Sequence, residues 1–169
     1  TFDDDLDLTV YMGNGIWICN NTDAFADAGF SIYTGTNTTT TIDPETSTIK
    51  VITGNTAITQ VFSEDKILNN IWFYGTGSMG SKVFDGGTFN DFKIDAGLTV
   101  KFEKAKTQTV ATFTVLGTNG NNITIDTIDG VGTFSLSKIN GRVSCDYLNI
   151  SRSNATGGAT WFAGVHSTN

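Results

Sequence analysis

The sequence is poor in basic residues, and it has no long hydrophobic run. Its 169 residues include 10 Lys and Arg against 17 Asp and Glu, which gives a formal net charge of −7. Because the basic residues form no cluster, the composition disfavours nucleic acid and anionic membranes as main partners. No stretch approaches the ~18 apolar residues of a transmembrane helix, and the first residues do not resemble a signal peptide. We therefore expect a neutral partner, no nucleic acid and no membrane span.

Histidine, cysteine and proline are also scarce, and this restricts the chemistry available to the chain. The sequence has one His, two Cys and one Pro. A single histidine close to the last residue, His166, is a poor basis for a Ser-His-Asp or Cys-His mechanism. Two distant cysteines and one histidine do not form a spaced zinc-ligand set. We expect no cofactor, no metal site and no catalytic residue, and we predict that the protein is not an enzyme.

The two cysteines lie far apart, at Cys19 and Cys145, each in an alternating apolar context. Small buried thiols are the favoured interpretation, with a disulfide as the alternative. Four acidic residues near the start, Asp3, Asp4, Asp5 and Asp7, have two interpretations as well. They form either a solvated acidic segment or interface to a basic neighbour, or a set of oxygen ligands for Ca²⁺.

The residues that are abundant favour strands and turns. Thr, Gly, Asn, Ile and Phe dominate, with 19 Gly and 12 Phe in the chain. Residues typical of long helices are few, so the composition predicts an all-β protein. A chain of this length fits one domain, which buries roughly 70% of the surface of the unfolded chain. We therefore treat residues 1–169 as a single domain.

One apolar pattern recurs along the middle of the chain. Two large apolar residues lie two positions apart, which places both on the same face of a strand. The pair returns every 21 residues, at Ile71/Phe73, Phe92/Ile94, Phe113/Val115 and Phe134/Leu136. The pattern continues upstream less regularly, at Ile49/Val51 and Phe30/Ile32. A fixed period of this length indicates stacked structural repeats.

A second row of apolar pairs follows the first, at Val100/Phe102, Ile123/Ile125 and Val143/Cys145. Turn-forming residues separate the two rows, at positions 95–97, 117–120 and 140–141. Each repeat is therefore predicted to contain two strands joined by a corner. A further short strand at 147–150 is predicted on a third side.

These rows predict a parallel β-helix, or β-solenoid, with coils of about 21 residues. The alternative is an antiparallel β-sandwich or jelly roll, which also has short alternating strands but no reason to repeat one apolar position at a constant interval. Within the single domain, we expect residues 1–45 to form an irregular N-terminal cap or interface segment. Residues 46–169 are expected to form the repeat coils and a closing module.

Several strings resemble a large group of repetitive right-handed β-helix proteins from bacteriophages and bacterial surfaces. The first strings are STIK at 47–50, LNNIWF at 68–73, TFNDFKID at 88–95 and QTVATFTV at 108–115. Those near the end are FSLSK at 134–138, VSCDYL at 143–148 and SNATGGATW at 153–161, followed by Ala163 and Gly164. The resemblance covers about residues 45–169. It implies a passive virion-borne or extracellular β-structure, and it supplies no catalytic motif.

Carboxylates and tryptophans are the remaining candidates for a site. β-Helices that cleave polysaccharides need paired carboxylates on one face. The acids in the repeat region form no ladder from coil to coil, so we interpret them as solvated turn residues: Asp91, Asp95, Glu103, Asp126, Asp129 and Asp146. Trp72 alternates with apolar residues and is predicted to point outwards, whereas Trp17 and Trp161 lie beside turn glycines. These three rings are our candidate contacts with a glycan or with a neighbouring segment or subunit.

The sequence favours a non-enzymatic structural or attachment subunit. We expect part of a phage virion, such as a fibre, tail or head-decorating component, or part of an extracellular filament. Its partners would be other copies or other virion or surface subunits, with a cell-surface glycan as a further candidate, and its location the virion or the extracellular space. The alternative is a carbohydrate-binding or carbohydrate-cleaving β-helix.

Overall fold

A computed structural model describes residues 8–20, 29–31, 40–54, 58–77 and 79–169. These residues form strands and turns and contain no helix. In chain order the strands are β1 (Leu8–Tyr11), β2 (Ile16–Asn20), β3 (Gly29–Ser31), β4 (Thr40–Asp43), β5 (Thr48–Ile52), β6 (Thr59–Phe62), β7 (Ile67–Tyr74), β8 (Ser81–Phe84), β9 (Gly87–Ile94), β10 (Thr99–Phe102), β11 (Thr107–Val115), β12 (Ile123–Thr127), β13 (Phe134–Lys138), β14 (Arg142–Ser144), β15 (Leu148–Ile150), β16 (Ser153–Gly157) and β17 (Thr160–Phe162).

The strands stack into two long parallel sheets, with two short strand pairs beside them. The larger sheet has the order β16-β13-β11-β9-β7-β5-β2, and we call it the main sheet. The second sheet has the order β15-β12-β10-β8-β6-β3. The pairs β1-β4 and β14-β17 contribute to a third side. Because sequence neighbours alternate between the sheets, the chain winds as a coil.

This arrangement is the predicted β-solenoid, with about five turns spaced about 22 residues apart. Every pairing between the described strands is parallel, as in β7 with β9 and β9 with β11. The alternative of an antiparallel sandwich or jelly roll is therefore wrong. Within the described parts of residues 1–45, the segment predicted to be a cap or interface, β1 to β4 pair with later strands or with one another.

The first predicted row of apolar pairs is confirmed over its central part. Ile49 lies beside Ile71, Ile71 beside Phe92, and Phe92 beside Phe113. The register then changes, because Leu136 lies beside Gln108 rather than beside Val115. The placement of Phe134 and Leu136 in the same column as Phe113 was therefore wrong. Residues 128–133 form a longer connection that shifts the next strand along the main sheet.

The second predicted row needs two corrections. Its third member is the pair Leu148/Ile150, which lies beside Ile123/Ile125 in the second sheet. The pair Val143/Cys145 instead belongs to the third side, where Val143 lies beside Trp161. The assignment of Phe30 to the first row was also wrong. Phe30 lies beside Val61 in the second sheet.

The interior of the coil is filled by large apolar side chains in columns. Phe92 is fully buried, and its ring lies 5.5 Å from that of Phe73, 5.7 Å from that of Phe102 and 5.9 Å from that of Phe113. Phe102 in turn stacks on Phe134 with the ring centres 4.7 Å apart. Each such ring contributes about 1.5–3 kcal/mol when it is removed from water. The column of rings therefore stabilises the stack along its axis.

Candidate functional site

Trp72 points outwards from the main sheet, as predicted, but it is only partly exposed. Lys50 and Lys93 occupy the same outward column in the preceding and following coils. Their ammonium nitrogens lie 4.4 Å and 4.0 Å from the centre of the indole ring. Because these two coils lie on either side of Trp72, the ammonium groups approach the ring from opposite directions along the axis. We call this arrangement the Lys–Trp–Lys clamp.

Two further contacts hold the Trp72 ring in place. Its indole N–H donates a hydrogen bond to the Asp95 carboxylate at 2.9 Å, and its edge packs against Tyr74. The ammonium of Lys50 also lies 3.7 Å from the centre of the Tyr74 ring. A sugar that stacked on Trp72 would have to displace a lysine from the ring face. The geometry favours a role in holding neighbouring coils together over a role in binding a glycan.

Trp17 lies in the first described coil of the main sheet. It is beside Ile49, whose side chain is buried in the interior, so the indole is on the inner face of the sheet. The ring is nevertheless 43% exposed. Its N–H donates a hydrogen bond to the main-chain oxygen of Met12 at 3.0 Å, which fixes the orientation of the ring. Trp17 therefore presents a fixed apolar surface at the N-terminal end of the coil interior.

Trp161 lies at the opposite end of the interior. It is on β17 beside the buried Val143, and its ring packs edge-on against Phe113 with the centres 5.6 Å apart. Its indole N–H is buried and has no hydrogen-bond partner within the part of the chain that the structure describes. Of the three predicted tryptophans, Trp72 is on the outer surface, and Trp17 and Trp161 mark the two ends of the interior.

A cavity of about 160 Å³, which the sequence analysis did not predict, opens beside Trp161. Apolar side chains from both sheets and from the third side line it, among them Phe113, Leu136, Leu148, Trp161 and Phe162. In the last coil, β16 contributes only small inward residues, Ser153 and Ala155, in line with Phe134 and Leu136 of the preceding coil. This change from large to small residues is the sequence signal that marks the cavity.

The acids of the repeat region contact residues of neighbouring coils, and not all of them are turn residues, since Asp91 lies on β9 and Asp126 on β12. Asp91 accepts a hydrogen bond from Thr114, and Glu103 accepts one from the main-chain N–H of Asp85. The other acids named above bind a nearby tryptophan, lysine, arginine or histidine: Asp95 to Trp72, Asp126 to Arg152, Asp129 to Lys104, and Asp146 to His166. A general acid or base needs a carboxylate available to a substrate. In each of these six acids, a carboxylate oxygen is already bonded to another residue of the chain.

The pKa values of two carboxyl groups, those of Asp126 and Asp146, are lowered. For Asp126, burial alone would raise the pKa, but hydrogen bonds from Arg152 and from the Thr127 N–H, together with the Arg152 charge, lower it. The hydrogen bond from His166 is the main cause that lowers the pKa of Asp146. A catalytic acid at neutral pH needs a raised pKa instead.

A group of charged residues at one corner has a structural explanation. The ammonium of Lys106 lies 3.5 Å from a carboxylate oxygen of Asp85 and 3.8 Å from one of Asp65. Desolvation lowers the pKa of Lys106, but the two carboxylates outweigh it and raise the pKa. Asp65 and Asp85 have φ angles of 55° and 64°, and the Asp65 carboxylate accepts a hydrogen bond from the Gly86 N–H. These contacts fix the corner turn across three successive coils.

The cysteines are free thiols, with Cys19 partly buried and Cys145 buried. Burial raises the pKa of Cys19, and it raises the pKa of Cys145 to about 11, so neither is a thiolate at neutral pH. Among the described residues no group of three His, Cys, Asp or Glu side chains is placed to hold a metal ion. The acidic cluster Asp3, Asp4, Asp5 and Asp7 lies outside the described residues. No helix in the described part is long and apolar enough to cross a membrane.

Comparison with known proteins finds no family model that matches the chain, and no curated protein and no solved structure that matches it. The fold therefore rests on the structure itself. The link to phage and bacterial surface proteins rests on the strings quoted from the sequence alone.

Proposed function

We propose that this protein is a non-enzymatic structural or attachment subunit, either of a phage virion or of an extracellular filament. The single observation behind this proposal is the continuous parallel stack. Both sheets run from the first described coil to the last, and large apolar side chains form most of the interior. Such a stack forms a rod whose length is set by the number of coils. A rod of this kind suits a spacer, fibre or attachment element.

The outer surface also supports a structural role. The Lys–Trp–Lys clamp and the corner contacts of Lys106 each join side chains from three successive coils. The charged side chains described above contact residues in neighbouring coils. Few of them therefore remain to bind a substrate. The alternative of a carbohydrate-binding or carbohydrate-cleaving protein has less support. A lysine from each neighbouring coil lies over the Trp72 ring, and the acids of the repeat region are bonded to neighbouring residues.

The assignment to a virion or filament is tested by the mass and shape of the native protein. Light scattering would give the mass of the assembly, and electron microscopy would show whether it is a fibre, a regular oligomer or a component of a particle. Antibodies against the purified chain would then locate it on phage particles or cell surfaces. Regular assemblies or particle labelling would support the proposal.

A monomer that survives both dilution and concentration, and labels neither particles nor cell surfaces, would overturn the proposal. A glycan array would then test the alternative. Binding that is lost in Trp72→Ala but kept in Thr112→Ala, a change at an exposed outward position on β11, would identify a glycan contact at the Lys–Trp–Lys clamp.

A further inference from the structure

The N-terminal end of the interior exposes an apolar surface. In the described part of the chain, β2 is the last strand of the main sheet, so one of its edges has no strand beside it. Three successive residues of β2 are large and exposed: Ile16 is 61%, Trp17 43% and Ile18 63% accessible. Trp17 lies on the inner face and is oriented by its hydrogen bond to the Met12 oxygen. A large ring is therefore held at the end of the coil interior.

The C-terminal end of the interior is an apolar recess. Strands β16 and β17 are the last described strands of the main sheet and of the third side, and each has one edge without a further strand. Between them lies the cavity of about 160 Å³, bordered by the exposed Ala155 and Phe162 and by the half-buried Trp161. An apolar cavity of ~150 Å³ accommodates one benzene-sized ring. The recess is thus about the size of one aromatic ring.

The two ends are complementary in three respects. One end exposes an aromatic ring, and the other has a ring-sized apolar cavity. Among the described strands, β2 and β16 each have one main-sheet edge without a neighbour, and every strand pairing is parallel, so a second coil set in the same direction continues the existing pattern. Both ends also belong to one axis, along which the coils of the molecule are already stacked. Addition of a strand to a free edge is a common mode of association in β-proteins.

We propose that copies of this chain associate head to tail, with β2 of one copy against the β16–β17 end of the next and Trp17 inserted in the cavity. This inference rests on the proposed structural function and specifies its partner, a second copy. The two surfaces that meet are different, so the contact is heterologous, and because both ends lie on the coil axis, its repetition forms an open chain rather than a ring. The product is a filament that grows along the coil axis.

The test uses two variants of the full chain, each blocked at one end. Trp17→Arg places a charge on the exposed N-terminal surface, and Ala155→Arg places a charge at the mouth of the recess. Thr112→Arg, at an exposed position on the outer face of β11, is the control for an added arginine. Sedimentation velocity measures association over a range of concentrations, and circular dichroism confirms that each variant keeps its β-structure.

We expect the wild type and Thr112→Arg to form extended chains. Each blocked variant alone should have a dissociation constant at least about tenfold higher than that of the wild type. A charge facing an apolar surface removes the free energy gained by burying the ring. An equimolar mixture of the two blocked variants should form 1:1 dimers and nothing larger, because one intact N-terminal end meets one intact C-terminal end. Formation of this dimer also shows that both variants are folded.

Three results would overturn the inference. In the first, the blocked variants assemble as the wild type does, which would place the contact elsewhere on the surface and leave the proposed function intact. In the second, both variants are folded but their mixture stays monomeric. In the third, the wild type is monomeric at every concentration. If that monomer labels phage particles or cell surfaces, only the head-to-tail contact fails, and if it labels neither, the proposed function fails too.

Discussion

At the scale of single residues, the position of a ring along the axis determines how much it contributes to stability. Phe92 lies in the middle of the stack with no exposed surface and contacts rings in its own coil and in the coils on both sides. Phe113 is 9% exposed and borders the cavity at the C-terminal end. Trp72 contacts lysines on the outer face instead. Three aromatic residues of the main sheet thus occupy three different environments.

The first prediction compares alanine substitutions at these three positions. We expect Phe92→Ala to lower the free energy of unfolding by about 3–5 kcal/mol, because it leaves a closed cavity. Phe113→Ala should cost less, since it enlarges a cavity that is already open. Trp72→Ala should cost about 1–2 kcal/mol, through the loss of two partly exposed cation–π contacts. Urea denaturation of the three variants measures these differences, and equal values would show that the inner and outer faces are wrongly assigned.

The second prediction concerns pH and the pair Asp126–Arg152. Two hydrogen bonds of 2.7 Å and 2.6 Å join the guanidinium to the carboxylate, and the pKa of Asp126 is lowered below its usual 3.8. The charged form is thus favoured in the folded state, so this stabilisation is present above the pKa of the unfolded chain, near 3.8. It is lost as the pH falls through the lower pKa of the folded state.

Melting temperatures measured between pH 7 and pH 2.5 would test this. We expect Arg152→Met to lower the melting temperature at pH 7, and the difference from the wild type to shrink below pH 4. The control is Lys104→Met, which removes the more exposed ion pair with Asp129. A difference between Arg152→Met and the wild type that stays constant with pH would contradict the assigned role of Asp126.

At the scale of elements, the close stacking of corners requires small residues at particular turns. A Cβ added at Gly117 would overlap the main-chain oxygen of Tyr147 in the next coil. A Cβ added at Gly15 would meet no atom within 4 Å. Neither glycine has a positive φ angle, so the contrast between them is steric alone.

The third prediction follows from this contrast. Gly117→Ala should destabilise the protein by about 1–3 kcal/mol, because the neighbouring corner must move. Gly15→Ala should be neutral or stabilising by up to about 1 kcal/mol, through the lower entropy of the unfolded chain. Chemical denaturation of both variants tests the register between the two corners. Two equal effects would mean that the corner at Gly117 is not in contact with Tyr147.

The strands of the central coils were predictable from the sequence, and the later register was not. Phe92 and Phe113 occupy the same position in successive repeats of 21 residues, so the spacing alone aligned β9 with β11. Phe134 continues the same spacing but lies in another column. The alternation of apolar and polar residues does not show along which part of β11 the next strand pairs, so this shift was not predictable. The pairs Val143/Cys145 and Leu148/Ile150 alternate equally well. The sequence pattern therefore assigned each pair to the side of the coil that the other pair occupies.

The candidate site was predictable in part. The outward direction of Trp72 follows from its place between Ile71 and Phe73, but its lysine neighbours depend on the register of three coils. Trp17 and Trp161 mark the ends of the interior, and this position depends on which strands lie last in each sheet. A property of the ends does not appear in the repeat pattern, because the pattern describes what successive coils share.

At the scale of the whole molecule, stability is expected to vary along the axis. The contacts of each coil are mainly with its two neighbours, so a terminal coil opens at a lower free energy than a central one. β16 and β17 each lie against one other strand of their sheets, whereas β9 lies between β7 and β11.

The fourth prediction is a gradient of amide hydrogen exchange. Peptides that cover β9 and β11 should exchange most slowly, and peptides that cover β16 and β17 should exchange fastest among those of the C-terminal half. Mass spectrometry of the exchanged protein, at a concentration where it is monomeric, would measure this. If head-to-tail chains form at high concentration, protection of β16 and β17 should rise while that of β9 stays the same. Uniform protection along the chain would show that the coils unfold as one unit.

The shift of register between β11 and β13 has a consequence for the response of the molecule to tension. The main-chain hydrogen bonds between coils run along the axis, so a pulling force along that axis acts on the successive coil junctions in series. β9 and β11 pair from Gly87–Gln108 to Ile94–Val115, whereas β11 and β13 pair only from Thr107–Ser135 to Thr109–Ser137. When junctions bear a force in series, the junction with the fewest hydrogen bonds breaks first. Under tension, the main sheet would separate first between β11 and β13, which leaves the central coils intact.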